Sequence, residues 1–116
     1  MDRAVSLNKN NEFRRAYARG KSYVSPVVVV YVLKNRCRML RVGITTSKKI
    51  GNAVQRSRAR RVIREAFRDL APMVRPGYDL VFVARGRTPF VKSTDVKKHL
   101  LCQLKAAGLL DGDQEK

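Results

Sequence analysis

Residues 45–68 read TTSKKIGNAVQRSRARRVIREAFR, and the way this stretch folds decides how the rest of the chain can be arranged. It holds Lys48, Lys49, Arg56, Arg58, Arg60, Arg61, Arg64 and Arg68, against a single acid, Glu65. Gly51 interrupts the run, and Asn52 with Gln55 makes an Asn-x-x-Gln capping box that starts a helix at Asn52. From there Ala59, Val62, Ile63, Ala66, Phe67 and Leu70 recur with the helical period and form one apolar stripe. Ser57, Arg60, Arg61, Arg64 and Arg68 fall on the opposite side, with Arg58 at the flank beside Glu65 and Arg56 near the stripe edge. The pattern predicts a cationic ridge with an apolar underside.

An ordinary charge run is a solvated helix face. Here Arg60, Arg64 and Arg68 stack like charges at i,i+4, which repel by a few tenths of a kcal/mol per pair, and Glu65 relieves only its neighbours. A polyanion laid along the ridge turns that repulsion into attraction. The helix N-terminus, with Lys48 and Lys49 just upstream, offers unpaired N–H groups that also suit phosphate.

The same residues resemble the signature of the bacterial ribonuclease P protein component: Lys-Lys-x-Gly-Asn-Ala-Val, then x-Arg-Asn-Arg-x-Lys-Arg, then x-Ile-Arg-x-Ala-Phe. Lys48, Lys49, Gly51, Asn52, Ala53, Val54, Arg56, Arg58, Arg61, Ile63, Arg64, Ala66 and Phe67 match in register. Ser57 stands where the family usually has Asn, which shortens the side chain and removes an amide donor. Arg60 stands where Lys is common, which keeps the charge. The resemblance extends from Leu7 to about Leu109, strongest in this motif.

At 116 residues the chain makes one domain, and 44% apolar residues suffice for one modest core. A net charge of +17 calls for an acidic partner, nucleic acid before an anionic membrane. No Asp or Glu occurs from Phe13 to Arg64, whereas Asp111, Asp113 and Glu115 crowd the C-terminus. The polyanion is therefore expected on the first half of the chain and the long helix, away from the acidic tail. Cys37 and Cys102 lack metal or redox spacing and fit a reducing cytoplasm. The N-terminus MDRAVSLNKNNEF is no secretory signal, and the longest apolar run, Val27–Leu33, is too short to span a bilayer. The expectation is a soluble cytoplasmic protein with no membrane partner and no small-molecule substrate.

Outward from the central helix, residues 1–7 are expected as a flexible arm, 8–109 as a single RNA-binding domain, and 110–116 as an acidic disordered tail. Phe13, Ala16 and Tyr17 make a short helical stripe stopped at Gly20; on spacing alone, Phe13 and Tyr17 suit core packing. After Ser25-Pro26, Val27–Leu33 reads as a strand, and Leu40, Val42 and Ile44 alternate in a second, the two paired as an antiparallel hairpin. The ridge helix ends near Ala71-Pro72, and Tyr78–Ala84 is a third strand, apolar enough to be central. Ser93 or Thr94 caps a last helix carrying Val96, Leu100, Leu101, Leu104 and Ala107. The order α-β-β-α-β-α predicts an α/β two-layer sandwich. The resemblance implies a small mixed four-stranded sheet, with Tyr23–Ser25 as the extra short strand, and a left-handed βαβ crossover, against the usual hand.

Side-chain chemistry for catalysis is thin, and no catalytic residue or protein-held metal is assigned. His99 sits among lysines, Glu65 and Asp69 are too few for a two-metal site, and Asp79 and Asp95 suit turn and cap roles. No Walker-type glycine loop occurs. These features speak against a self-sufficient ribonuclease. An amphipathic helix with its apolar face committed to a core speaks against a membrane-surface binder. A ribosomal or RNA-assembly protein that binds structured ribosomal RNA remains an alternative.

The resemblance implies a subunit of the ribonuclease P endoribonuclease, in which the RNA carries Mg²⁺ and cuts precursor tRNA at the mature 5′ end. It implies an RNA-docking set of Lys48, Lys49, Asn52, Arg56, Ser57, Arg58, Arg60, Arg61, Arg64 and Arg68, for ribonuclease P RNA. It also implies a cleft for the 5′ leader of precursor tRNA, with Phe13, Tyr17 and Tyr31 as its aromatics and Arg14, Lys21, Ser22 and Ser25 at its rim.

Overall fold

The computed structural model describes residues 4–7 and 9–110. Within them lie β1 (Ala4–Ser6), α1 (Asn10–Arg19), β2 (Lys21–Val24), β3 (Val28–Lys34), β4 (Leu40–Thr45), α2 (Ala53–Leu70), β5 (Tyr78–Ala84) and α3 (Ser93–Ala106). The strands form one mixed sheet in the order β1-β4-β5-β3-β2. β1, β4 and β5 run parallel, and β3 is antiparallel to both β5 and β2. The four-stranded mixed sheet is present as β2 to β5, and β1 adds a fifth strand at its edge.

Three local expectations are corrected. The arm over residues 1–7 is ordered pairing in its described part: Ala4–Ser6 lies along Leu40–Val42, and the Leu7 N–H donates to the Val42 carbonyl at 2.8 Å. The short extra strand is Lys21–Val24 rather than Tyr23–Ser25, because Ser25 turns the chain into β3. The two early strands do not form a hairpin, since β5 inserts between them. Their connecting loop straddles the start of β5, the Asn35 N–H reaching the Gly77 carbonyl and the Gly77 N–H reaching Met39. Of the expected tail, Leu110 is buried and bridges to Val74, and residues 111–116 lie outside the described part.

The central position of β5 follows from its composition: Leu80, Val81 and Phe82 are fully buried because both faces of the strand are covered. Leu80 and Phe82 face the main core, with Val28, Val30 and Leu40 from neighbouring strands. There they meet the whole predicted stripe of α2 and Val96, Leu100 and Leu104 of α3; the Phe67 and Phe82 rings lie 5.0 Å apart. Gln103 ties α3 to the sheet, its amide nitrogen donating to the carbonyls of Tyr23 and Val28.

The opposite face is covered only in part, by α1. Ala16 is buried against Val81 and Leu7, with Phe13, Tyr31 and Val83 packed around them. Gly43 makes this approach possible, since a Cβ there would come within 2.5 Å of the Phe13 ring. Gly43→Ala is therefore expected to lower stability by about 1–3 kcal/mol through overpacking. Thermal unfolding checks this, and a Phe13→Ala background, which removes the collision, should shrink the penalty.

Beyond Phe13 the same face carries a buried charge. Asp79, which had suited a turn role, is only 2% exposed. It accepts from Arg41 Nε at 2.7 Å and Nη2 at 2.8 Å, and from the Asn35 amide at 2.8 Å. Its hydrogen bonds to Asp79 raise the Arg41 guanidinium above its ordinary pKa, while burial pulls it the other way. Arg41 Nη1 also donates to Glu12 at 3.3 Å, which fixes the first turn of α1 over the sheet.

Candidate nucleic-acid interface

The capping box at the start of α2 is closed in both directions. The Gln55 N–H donates to Asn52 Oδ1 at 2.9 Å, and the Asn52 N–H to Gln55 Oε1 at 3.0 Å. Gly51 has φ 144°, and a Cβ on it would collide with the Gln55 amide, so this entry requires glycine. Asn52 is thus committed to starting the helix. Lys48 and Lys49 are exposed on a 3-10 turn just before it, where the Lys49 N–H donates to the Ser47 hydroxyl.

Along α2 the arginines divide by what they touch. Arg56 Nη1 donates to the Gly51 carbonyl at 2.7 Å and braces the helix start. Arg58 Nε donates to the Pro89 carbonyl at 2.6 Å, tying α2 to the turn before α3. Arg60 reaches the Thr46 hydroxyl at 3.0 Å. Arg61, Arg64 and Arg68 are exposed and make no ion pair or hydrogen bond among the described residues, and Ser57 lies exposed beside them. Arg60, Arg64 and Arg68 also line a groove of about 490 Å³, floored by Val42, Ile44, Phe67 and Phe82. Of the two acids of the helix, Glu65 sits on the other flank with Arg58 and Arg61, and Asp69 pairs with Lys97 of α3. The outer arc therefore carries uncompensated charge held on a rigid, well-capped helix.

On the other face of the sheet, Tyr17 and Tyr31 form an edge-to-face pair with ring centroids 4.9 Å apart. The Tyr17 hydroxyl donates to Thr45 Oγ1 at 3.3 Å, and the residue is 41% exposed. Phe13 is half-buried beneath, so it builds the floor while Tyr17 offers its ring to solvent. Ser22 pairs with Tyr31 and so shares this face.

Three rim residues go elsewhere. Lys21 alternates with Ser22 onto the α3 side, where its ammonium stands 5.7 Å from the Tyr23 ring. Ser25 is buried, its hydroxyl donating to the Val28 carbonyl and accepting from the N–H groups of Val27 and Val28. Arg14 is exposed and lines a separate concavity on α1. Sequence reasoning also missed the sheet's own share of the furrow: Val29 and Val83 lie half-buried beside Tyr31, with Val24 66% exposed at the edge. Two-residue alternation through a known register finds them, but the register was not legible. It missed Phe90 as well, 70% exposed next to Pro89 and hence beside the Arg58 contact.

Acids are scarce at both surfaces. Glu12 and Asp79 are taken by Arg41, and Asp69 by Lys97 at 3.4 Å. No three His, Cys, Asp or Glu of the described residues come together as a metal site. No helix of the described residues is long and apolar enough to cross a membrane.

Comparison with known proteins agrees with this geometry. The family model described as Ribonuclease P matches residues 1–108. The "Ribonuclease P protein component" of Clostridium botulinum (strain Loch Maree / Type A3) is 43% identical over 104 residues, covering 89% of this chain and 94% of that protein. That of Clostridium novyi (strain NT) is 43% identical over 111 residues, covering 94% and 98%. Among solved structures, the Staphylococcus aureus RNase P protein superposes with TM-score 0.79 at 32% identity, covering 90% of this chain and 96% of that one. The Thermotoga maritima RNase P protein does so with TM-score 0.76 at 30% identity, covering 87% and 96%. With a capped arginine ridge, a sheet-borne aromatic furrow and relatives matched over nearly their whole length, the chain belongs to the ribonuclease P protein family, the protein component of the ribonuclease P endoribonuclease.

Proposed function

We propose that this chain holds two RNAs at once, the catalytic RNA of ribonuclease P on α2 and the single-stranded 5′ leader of precursor tRNA in the furrow between α1 and the sheet. The observation that carries this reading is that the unpaired arginines and the Tyr17–Tyr31 pair lie on opposite faces of one sheet. Positive charge on the ridge supplies sequence-independent affinity for phosphate. Exposed aromatic and apolar surface in the furrow suits unpaired bases, which stack on it whatever their identity. The protein side chains make no cut. They screen repulsion between two polyanions, so cleavage proceeds at lower Mg²⁺, with that ion held mainly by the RNA. The chain works in the cytoplasm, beside its precursor substrates. Binding of structured ribosomal RNA, the alternative, would use the ridge but leave the furrow idle.

Reconstitution with a ribonuclease P RNA at low Mg²⁺ tests this: adding the protein should raise precursor tRNA cleavage, and an unchanged rate counts against it. In the same assay Tyr17→Ala should weaken binding of leader-bearing tRNA by about 1–3 kcal/mol, the value of one stacked base, and spare mature tRNA. Equal loss for both substrates would refute the furrow as the leader site.

A further inference from the structure

The concavity that receives Arg14 is larger than the groove beside α2, at about 870 Å³. It lies on the sheet face that carries α1, but at the Arg41–Asp79–Leu33 end, whereas Tyr17 reaches toward Thr45 at the other. Arg14, Arg15, Arg19, Lys34 and Arg36 line it, all exposed and none with an ion pair or hydrogen bond among the described residues. The nearby acids offer no relief, since Asp79 and Glu12 both accept from Arg41. Arg15 and Arg19 repel at i,i+4 on α1, the same unrelieved arrangement as on α2.

We propose that this basin is a second docking site for the catalytic RNA, gripping the phosphate backbone of a duplex segment; the proposal rests on the functional reading above. Among the described residues no aromatic side chain lines the basin, and its only apolar members are Ala18, Leu33 and Cys37. It can therefore bind phosphates but cannot stack bases, which suits a duplex and not an unpaired leader. The path to it is continuous. As the link between two parallel strands, α2 starts at the Thr45 end of the sheet and finishes at the Tyr78 end, where the basin begins. Arg68 lines its groove with Ser6 and Val42, next to Arg41 in β1 and β4. Exposed Arg36 and Arg38 carry positive charge round that end of the molecule. An RNA seated on the ridge thus reaches the basin without crossing the furrow.

The test is salt-dependent binding of the full chain to the catalytic RNA, comparing the natural protein with Arg15→Ala/Arg19→Ala/Arg36→Ala. Three lost duplex contacts lower the salt slope by about 2.7. Between about 50 and 200 mM salt the natural protein should then lose roughly 40-fold more affinity than the variant. The corresponding triple lysine variant should keep the natural slope, and the preference for leader-bearing over mature tRNA should stay unchanged in both. Hydroxyl-radical footprinting should show one helix of the catalytic RNA deprotected by the alanine variant. Parallel salt slopes for the natural and alanine proteins overturn the proposal, as does a loss confined to precursor tRNA. Failure of the natural protein to stimulate cleavage would instead remove the functional reading itself, so the two failures are distinguishable.

Discussion

Replacing Arg60, Arg61, Arg64 and Arg68 together by alanine is expected to leave the fold standing while removing most of the salt-sensitive affinity for the catalytic RNA. All four are exposed, and the one hydrogen bond they make among the described residues, Arg60–Thr46, is lost. The stripe beneath them, from Ala59 to Leu70, is untouched. Alanine also relieves the i,i+4 repulsion of Arg60, Arg64 and Arg68, so stability should change by no more than about 1 kcal/mol. Binding behaves differently. Each duplex phosphate contact contributes about 0.9 to the slope of log K against log salt, so four contribute about 3.6. Raising salt from about 50 to 200 mM should therefore cost the natural protein roughly 150-fold more affinity than the variant. Filter binding across a salt series, beside thermal melts of the free proteins, separates the two effects. Parallel slopes with unchanged melts would mean that the ridge is a solvated face after all.

The ridge could be read from sequence because its information is local. A stripe at helical spacing needs only one helix to define it, and the Asn52–Gln55 cap is complete within one turn. The furrow could be read only as aromatics whose spacing suited core packing equally well. Whether Tyr17 is buried depends on how far α1 advances across the sheet, which Gly43 and Arg41 decide from a distant strand. Lys21 was misplaced for the same reason: the face taken by each residue of β2 follows from pairing with β3, a register that local composition does not encode, while Ser25 is drawn inward by the turn its hydroxyl closes with Val27 and Val28. Asp79 looked like a turn residue because its partners, Asn35 and Arg41, come from other parts of the chain. β1 is too short for any alternation to show. The early strands resembled a hairpin because β5, which separates them, arrives only after α2.

Arg41→Met should be the most destabilising single change in the molecule's polar structure, and its consequences should be confined to one face. The Asp79 side chain is 3% exposed and takes two of its hydrogen bonds from the Arg41 guanidinium. Removing one partner of a buried pair leaves a desolvated carboxylate without its guanidinium, at a cost of about 3–5 kcal/mol. Asn35 still donates to Asp79, which places the loss toward the lower end. Adding Asp79→Leu should recover much of the stability, because exchanging both members of a buried ion pair for apolar groups is often close to neutral. The double variant regains packing but not the Arg41–Glu12 tether that fixes α1 over the sheet. It should therefore melt near the natural protein and bind the catalytic RNA through α2, yet discriminate poorly between leader-bearing and mature tRNA. Chemical denaturation gives the first quantity and competition binding the second. If the single variant were as stable as the natural protein, Asp79 would not need its guanidinium. If the double variant kept full discrimination, the furrow would not depend on where that guanidinium holds α1.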